Sequence, residues 1–172
     1  MEFKEKIITD MPSRRRLQII DSLINNYMVL EKSIQSLLKL LPHNHCVACQ
    51  DICCKEVFCQ ETKVSFFYKL VSSKVKEVEY DSKTGWLGSN GCRLSIGRPL
   101  ICYDFFCEKY HDVKEQTDKI SSIIKEIDKI FSKAYGNLHL LILDSLDRVK
   151  SHKLEKMDKR ISCLKKEVQL LL

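Results

Sequence analysis

Apolar side chains recur at alternating steps of three and four through three long stretches of this chain. In the first, Ile20, Leu23, Tyr27, Leu30, Ile34, Leu37 and Leu41 form a heptad seam. That period belongs to an amphipathic helix whose apolar face meets a partner, so residues 14–41 are predicted as one long helix. Ser13 is the expected N-cap, and Pro42 the expected stop, because proline has no N–H for the helical ladder. Arg14, Arg15 and Arg16 open this helix with charge that opposes its macrodipole. In the second stretch, Val113, Thr117, Ile120, Ile124, Ile127, Phe131 and Ala134 repeat the pattern over residues 112–135. Gly136-Asn137 reads as the turn that ends it. A last helix is predicted from about residue 138 to the C-terminus. Its distal seam is Met157, Ile161, Leu164, Val168 and Leu171, continued upstream with a phase shift by Leu143, Leu146 and Val149.

Between the first two helices the pattern changes. Val64 to Val71 is rich in aromatic and β-branched residues, and Val75 to Tyr80 alternates apolar with polar. These read as two short strands with a turn at Ser72 to Lys74. Lys83 to Gly97 reads as a loop around the single tryptophan, Trp86, followed by Arg98-Pro99 and a short helical turn over Leu100 to Cys107. The expected architecture is mainly α. Long helices at 14–41 and 112–172 form an antiparallel bundle or coiled coil, and residues 43–111 insert a small cysteine-rich module with a short β-hairpin.

Composition narrows the picture without changing it. The chain has 172 residues, 44% hydrophobic and 30% charged, which excludes a disordered chain. Of its 5 glycines, four lie between Gly85 and Gly97, so the helical flanks are nearly free of breakers. The net charge of +6 is spread, with both signs interleaved. Lys150, Lys153, Lys156, Lys159, Arg160, Lys165 and Lys166 share the last helix with Glu155, Asp158 and Glu167, the pattern of a solvated face and not of a nucleic-acid footprint. No apolar run approaches the roughly 20 residues needed to cross a bilayer. The charged Met1 to Arg16 segment lacks the apolar core of a secretory signal, so a cytoplasmic location is expected.

The candidate chemistry lies in the cysteines. Eight of the 9 fall into two blocks: Cys46, Cys49, Cys53, Cys54 and Cys59, then Cys92, Cys102 and Cys107. Thiolates this dense imply a soft metal or a disulfide framework, and a reducing compartment favours metal. A Cys-x2-Cys step such as Cys46–Cys49 turns two thiolates toward one metal. The adjacent pair Cys53-Cys54 diverges, which suits a multi-metal cluster better than a single ion. All-thiolate supply points to an iron–sulfur cluster, most simply [4Fe–4S]. Zinc is the alternative, which His43 and His45 beside Cys46 would help to complete. Arg98 is positioned in sequence to place positive charge near thiolates. Trp86, Phe105 and Phe106 read as local core. Cys163 falls off the third seam and reads as a helix-surface or partly buried thiol.

The ordered combination of Cys46, Cys49, Cys53-Cys54, Gly91-Cys92-Arg93-Leu94, Arg98-Pro99 and Cys102-Tyr103-Asp104-Phe105-Phe106-Cys107 resembles the YkgJ-like cysteine-cluster proteins, the CxxCxxCC or zinc- or iron-chelating family. The resemblance covers roughly residues 46–107 and departs at one point: three residues separate Cys49 from the pair, where the family name has two. It implies metal ligation by the cysteine blocks, commonly as an iron–sulfur cluster, with no reaction assigned to many members. No phosphate-binding glycine loop, nucleophile elbow or zinc-protease helix is present. The expected function is therefore a metal-binding accessory protein, redox-active or acting through its helices on a protein partner. A zinc-bound interaction module and an iron–sulfur enzyme are the alternatives.

Overall fold

The computed structural model describes residues 14–41, 56–89, 91–104, 106, 108–135 and 149–172. Six α-helices and one two-stranded antiparallel sheet follow in the order α1 (Arg14–Leu40), α2 (Glu56–Val64), α3 (Phe66–Ser72), β1 (Leu87–Gly88), β2 (Gly91–Cys92), α4 (Ile101–Asp104), a 3-10 turn (Glu108–Val113), α5 (Lys114–Tyr135) and α6 (Ser151–Gln169). The fold is a helical bundle with a small hairpin, as the periodicity predicts.

The heptad seam of α1 is the spine of the core. Ile20, Leu23, Tyr27, Leu30 and Ile34 are buried, with Ile24 beside them, and Leu37 is half-buried. Each fully buried Leu or Ile contributes about 1.5–3 kcal/mol by leaving water. The seams of α5 (Thr117, Ile120, Ile124, Ile127, Phe131) and α6 (Met157, Ile161, Leu164, Val168) close onto it. Leu171 departs from expectation: it lies beyond the end of α6 and is exposed. Ser13, Pro42, Gly136, Leu143 and Leu146 lie outside the described residues.

The periodicity does not say which helices pair or in which direction; polar contacts do. Arg15 of α1 meets Glu155 of α6 at 2.8 Å, and Arg16 donates to the Ser151 hydroxyl. Further along, Ser22 and Asn26 both donate to the Asp158 carboxylate at 2.8 Å, and Lys165 donates to the Asn26 side-chain carbonyl at 2.6 Å. Residue numbers rise together on both helices, so α1 and α6 run parallel. The Asp158 contacts are half-buried, where a mismatched register would leave polar groups without partners. Two of the arginines that open α1 against its macrodipole, Arg15 and Arg16, thus find acidic and hydroxyl partners across the interface. Because Arg15 and Glu155 are well exposed, that pair is worth little by itself. On the other flank, Arg160 of α6 pairs with Glu126 of α5.

The predicted strands at 64–71 and 75–80 do not form. Residues 66–72 are α3, and residues 76–80 carry no regular element. Ser65 decides the outcome locally: its hydroxyl accepts from the Tyr68 N–H at 3.1 Å and caps the new helix. Tertiary packing then overrides β propensity. Phe67 and Val71, four apart, fall on one helical face, and both are buried. The Phe67 ring lies edge-on to Tyr27 at 4.8 Å and to Phe131 at 5.8 Å, joining α1, α3 and α5 in one aromatic cluster. The hairpin lies later, inside the segment predicted as a loop, with Leu87 opposite Cys92 and Gly88 opposite Gly91.

The core also runs past residue 43, where the bundle was expected to give way to a separate module. Phe67, Val71, Ile96, Leu100 and Tyr103 belong to the same apolar cluster as the long helices. Among the described residues, no helix is long and apolar enough to cross a membrane. Ile34 and Ile124 are almost fully buried, so Ile34→Ala or Ile124→Ala should each cost roughly 2–5 kcal/mol in denaturant titration. Lys133→Ala, at an exposed site on α5, should change stability by less than about 0.5 kcal/mol.

Candidate metal centre

Three of the eight candidate ligands are described. Cys59 sits in the middle of α2, Cys92 ends β2, and Cys102 is the second residue of α4. Cys46, Cys49, Cys53, Cys54 and Cys107, with His43 and His45, lie outside the described residues. Cys163 is an exposed free thiol on α6, as its place off the seam predicts.

The α2 helix that carries Cys59 is short but locally well specified. Glu56 opens it and Lys63 closes it, both favourable to the macrodipole, and the Thr62 hydroxyl donates to the Phe58 carbonyl. Opposite Cys59 lies a turn built by Asp81. One oxygen of its carboxylate accepts from the N–H groups of Lys83 and Thr84, each at 2.8 Å, and the backbones of Asp81 and Gly85 bond reciprocally. This holds Gly85 at a φ of +63°. A Cβ there would lie 2.6 Å from the Cys59 Cβ, 2.7 Å from its Sγ and 3.9 Å from Cε2 of Tyr80. Gly85 is therefore demanded twice, by a left-handed backbone and by the close approach of the thiol.

The chain continues directly from Gly85 through Trp86 into the hairpin that ends at Cys92. Cys59 and Cys92 come from segments far apart in sequence, yet the charge of one bears on the other. Burial pushes the Cys92 thiol above its usual range. The Arg98 guanidinium and the Leu94 N–H pull it down, while Cys59 and Glu31 reinforce the rise. Arg98 also pins the loop, donating from Nε to the Leu94 carbonyl at 2.7 Å and from Nη2 to the Cys92 carbonyl at 3.4 Å. The sequence expectation of positive charge beside a thiol holds at this position.

The anchor of this loop is a residue the sequence reading passed over. Glu31, on α1, is 1% exposed. Its carboxylate accepts from the Gly97 N–H at 2.8 and 2.9 Å, the Arg98 N–H at 3.0 Å and the Tyr103 hydroxyl at 2.5 Å. Gln35, one turn on, donates to the Ser95 carbonyl and to the Tyr103 oxygen. Burial raises the Glu31 carboxyl above the ordinary range, against the pull of Tyr103, the two N–H groups and the Arg98 charge. A signal existed: Glu31 stands four residues after Tyr27 and three before Ile34, inside the apolar stripe. Gly97, at a φ of +86°, brings its backbone against Tyr68 and Val71 of α3, where a Cβ would sit 3.1 Å from the Tyr68 ring. Cys102 precedes Tyr103 in α4 and is exposed; its charge reaches the Tyr27 phenol.

Among the described residues, no three Cys, His, Asp or Glu side chains meet as ligands of one ion. What is described nevertheless fits a sulfur-ligated group. The Cys59 thiol packs against Gly85, and the chain runs from there through Trp86 into the hairpin that ends at Cys92, a thiol of the second block. Beside them, the Trp86 indole Nε1 and the Tyr80 hydroxyl are buried with no hydrogen-bond partner among the described residues. Buried donors are rarely left without a partner, and an unpaired one costs about 1–3 kcal/mol.

Two substitutions test this framework. Glu31→Ala strips the acceptor from three buried donors and should destabilise the protein by on the order of 3 kcal/mol or more in denaturant titration. Gly85→Ala should cost more than about 1 kcal/mol from its left-handed φ alone. It should also displace Cys59, read as faster labelling of that thiol by a maleimide.

In comparisons with protein-family models, curated proteins and solved structures, nothing matches this chain.

Proposed function

We propose that this chain is an iron–sulfur protein of the cytoplasm whose two cysteine blocks jointly hold a [4Fe–4S] cluster, and that it works as a redox or binding accessory to a protein partner. The observation that carries the reading is the seating of the Cys59 thiol, from the first block, against Gly85, where the short turn and hairpin that end at Cys92 of the second block begin. Four thiolates drawn from both segments are the ordinary ligand set of such a cluster. Cys59 and Cys92 would serve with partners from Cys46, Cys49, Cys53, Cys54, Cys102 and Cys107. The ordered spacing that resembles the YkgJ-like cysteine-cluster proteins supports the same assignment. When bound, the group would supply one-electron transfer.

The chain's own residues have definable tasks in this reading. Arg98 sets positive charge beside the Cys92 thiol and fixes the turn that presents it. Glu31 holds Gly97 and Arg98 by their N–H groups and Tyr103 by its hydroxyl, which keeps Cys92 and Cys102 on one braced segment. Trp86, fully buried between Tyr68 and Tyr80, shields the hairpin side from water. The crevice beneath Pro99, lined by Tyr27, Phe67 and Gly97, has a volume of about 10 Å³ and takes no more than a water molecule.

The test is metal analysis of anaerobically purified protein. Brown protein with iron and acid-labile sulfide in roughly equal amounts is expected. Cys59→Ser and Cys92→Ser should each lower the iron content, and Cys163→Ser should leave it unchanged. Colourless protein carrying zinc, or cluster retained in both Cys59→Ser and Cys92→Ser, overturns the reading.

A further inference from the structure

Trp86 and Tyr80 place two polar hydrogens where the described residues give them nothing to bond. Trp86 is 1% exposed, one of the most deeply buried large side chains, and its Nε1 is unpaired among the described residues. The same holds for the Tyr80 hydroxyl. The two rings are in contact, edge to face, with centroids 5.1 Å apart. Neighbouring polar groups show that this corner of the fold otherwise meets its hydrogen-bonding demands: Asp81 satisfies the turn, Arg93 donates its backbone N–H to the Trp86 carbonyl at 2.8 Å, and Arg98 satisfies the loop. Two orphan donors side by side in so well-paired a region need a reason.

Their position supplies one. The Cys59 sulfur and Tyr80 Cε2, the ring carbon next to the one bearing the hydroxyl, lie 2.7 and 3.9 Å from the same point, the site of a Cβ on Gly85. Trp86 follows Gly85 directly, and Cys92 pairs with Leu87, the residue after Trp86. Tyr80 and Cys59 thus meet at one glycine, and Trp86 and Cys92 lie on the turn and short hairpin that follow it in the chain. Indole can only donate, and phenol donates readily. Sulfur carrying negative charge is a large acceptor, and such donors are a recognised means of stabilising charge at metal–sulfur sites.

We propose that the Trp86 indole N–H and the Tyr80 hydroxyl are hydrogen-bond donors reserved for anionic sulfur of the group held at Cys59 and Cys92. The inference rests on the metal-centre reading above and adds the residues that set the electronic character of that centre. Donors to sulfur favour the reduced, more negative state, so they raise the reduction potential. They also give a reason for a polar atom on each of these two rings.

The experiment uses the full chain, loaded and metal-free. Trp86 is the single tryptophan, so one indole N–H resonance reports on it alone. In loaded wild-type protein that proton should shift and exchange with solvent markedly more slowly than in metal-free protein. Tyr80→Phe and Trp86→Phe should keep the helical circular-dichroism signal and most of the bound iron, while their reduction potentials move to more negative values. Unchanged indole exchange on loading, together with a wild-type potential in Tyr80→Phe, overturns the donor role and leaves the metal reading intact. Wild-type protein that takes up no metal overturns both. If Trp86→Phe does not fold, the wild-type indole signal and Tyr80→Phe decide the matter. If zinc is the bound metal, the iron–sulfur reading falls, and the indole signal still tests the donor role.

Discussion

A single buried carboxylate joins the two halves of this protein. Glu31 sits among the apolar residues of α1, where an unpaired charge would be prohibitively costly. It is tolerable there because the loop leading to α4 brings two backbone N–H groups and a phenol to it at once. The dependence runs both ways: Ile96 and Leu100 pack the loop against the bundle, its backbone N–H groups find their acceptor in the carboxylate, and among the described residues the carboxylate takes its hydrogen bonds from these groups and Tyr103. The left-handed Gly97, the Arg98 turn, the placement of Tyr103 and the presentation of Cys92 and Cys102 follow from that exchange.

Around this node the core is shared, not partitioned. Tyr27, Phe67 and Phe131 meet edge to face from three helices, so the segment after the first cysteine block is packed into the bundle. The rest of the cysteine-bearing region is less well provided. The hairpin has two residues per strand, α2 offers one buried side chain, and the loop from 76 to 85 depends on Asp81 hydrogen bonds. A bound metal would contribute most where apolar burial contributes least, because ligation energy becomes folding energy when the site is absent from the unfolded chain. In the proposed reading, the bundle supplies a rigid base and the ligated group completes its poorly packed end.

Much of the fold could be read from the amino acids because helix periodicity is a local property with a three-dimensional meaning. The seams through Ile20 to Ile34, Ile120 to Phe131 and Met157 to Val168 are buried as their spacing predicts. The same reasoning misplaced Val64 to Val71. Aromatic and β-branched residues favour strands only when a sheet is there to receive them. Here Ser65 caps a helix, and a pocket between α1 and α5 receives Phe67, so the long-range contact outweighs the local preference. Of the candidate site, the thiols and a guanidinium beside one of them were legible, since both declare their chemistry by identity.

The sequence alone determined that three long helices would form and which faces they would bury. Those properties follow from side-chain period and type. Only the tertiary structure decided that α1 and α6 run parallel, that the Cys59 thiol packs against Gly85, that Glu31 anchors the loop between Cys92 and Cys102, and that Trp86 and Tyr80 hold donors with no partner among the described residues. Each of these is a contact between residues distant in the chain. Such contacts are set by which buried polar groups can all be satisfied together, and no local pattern records that condition.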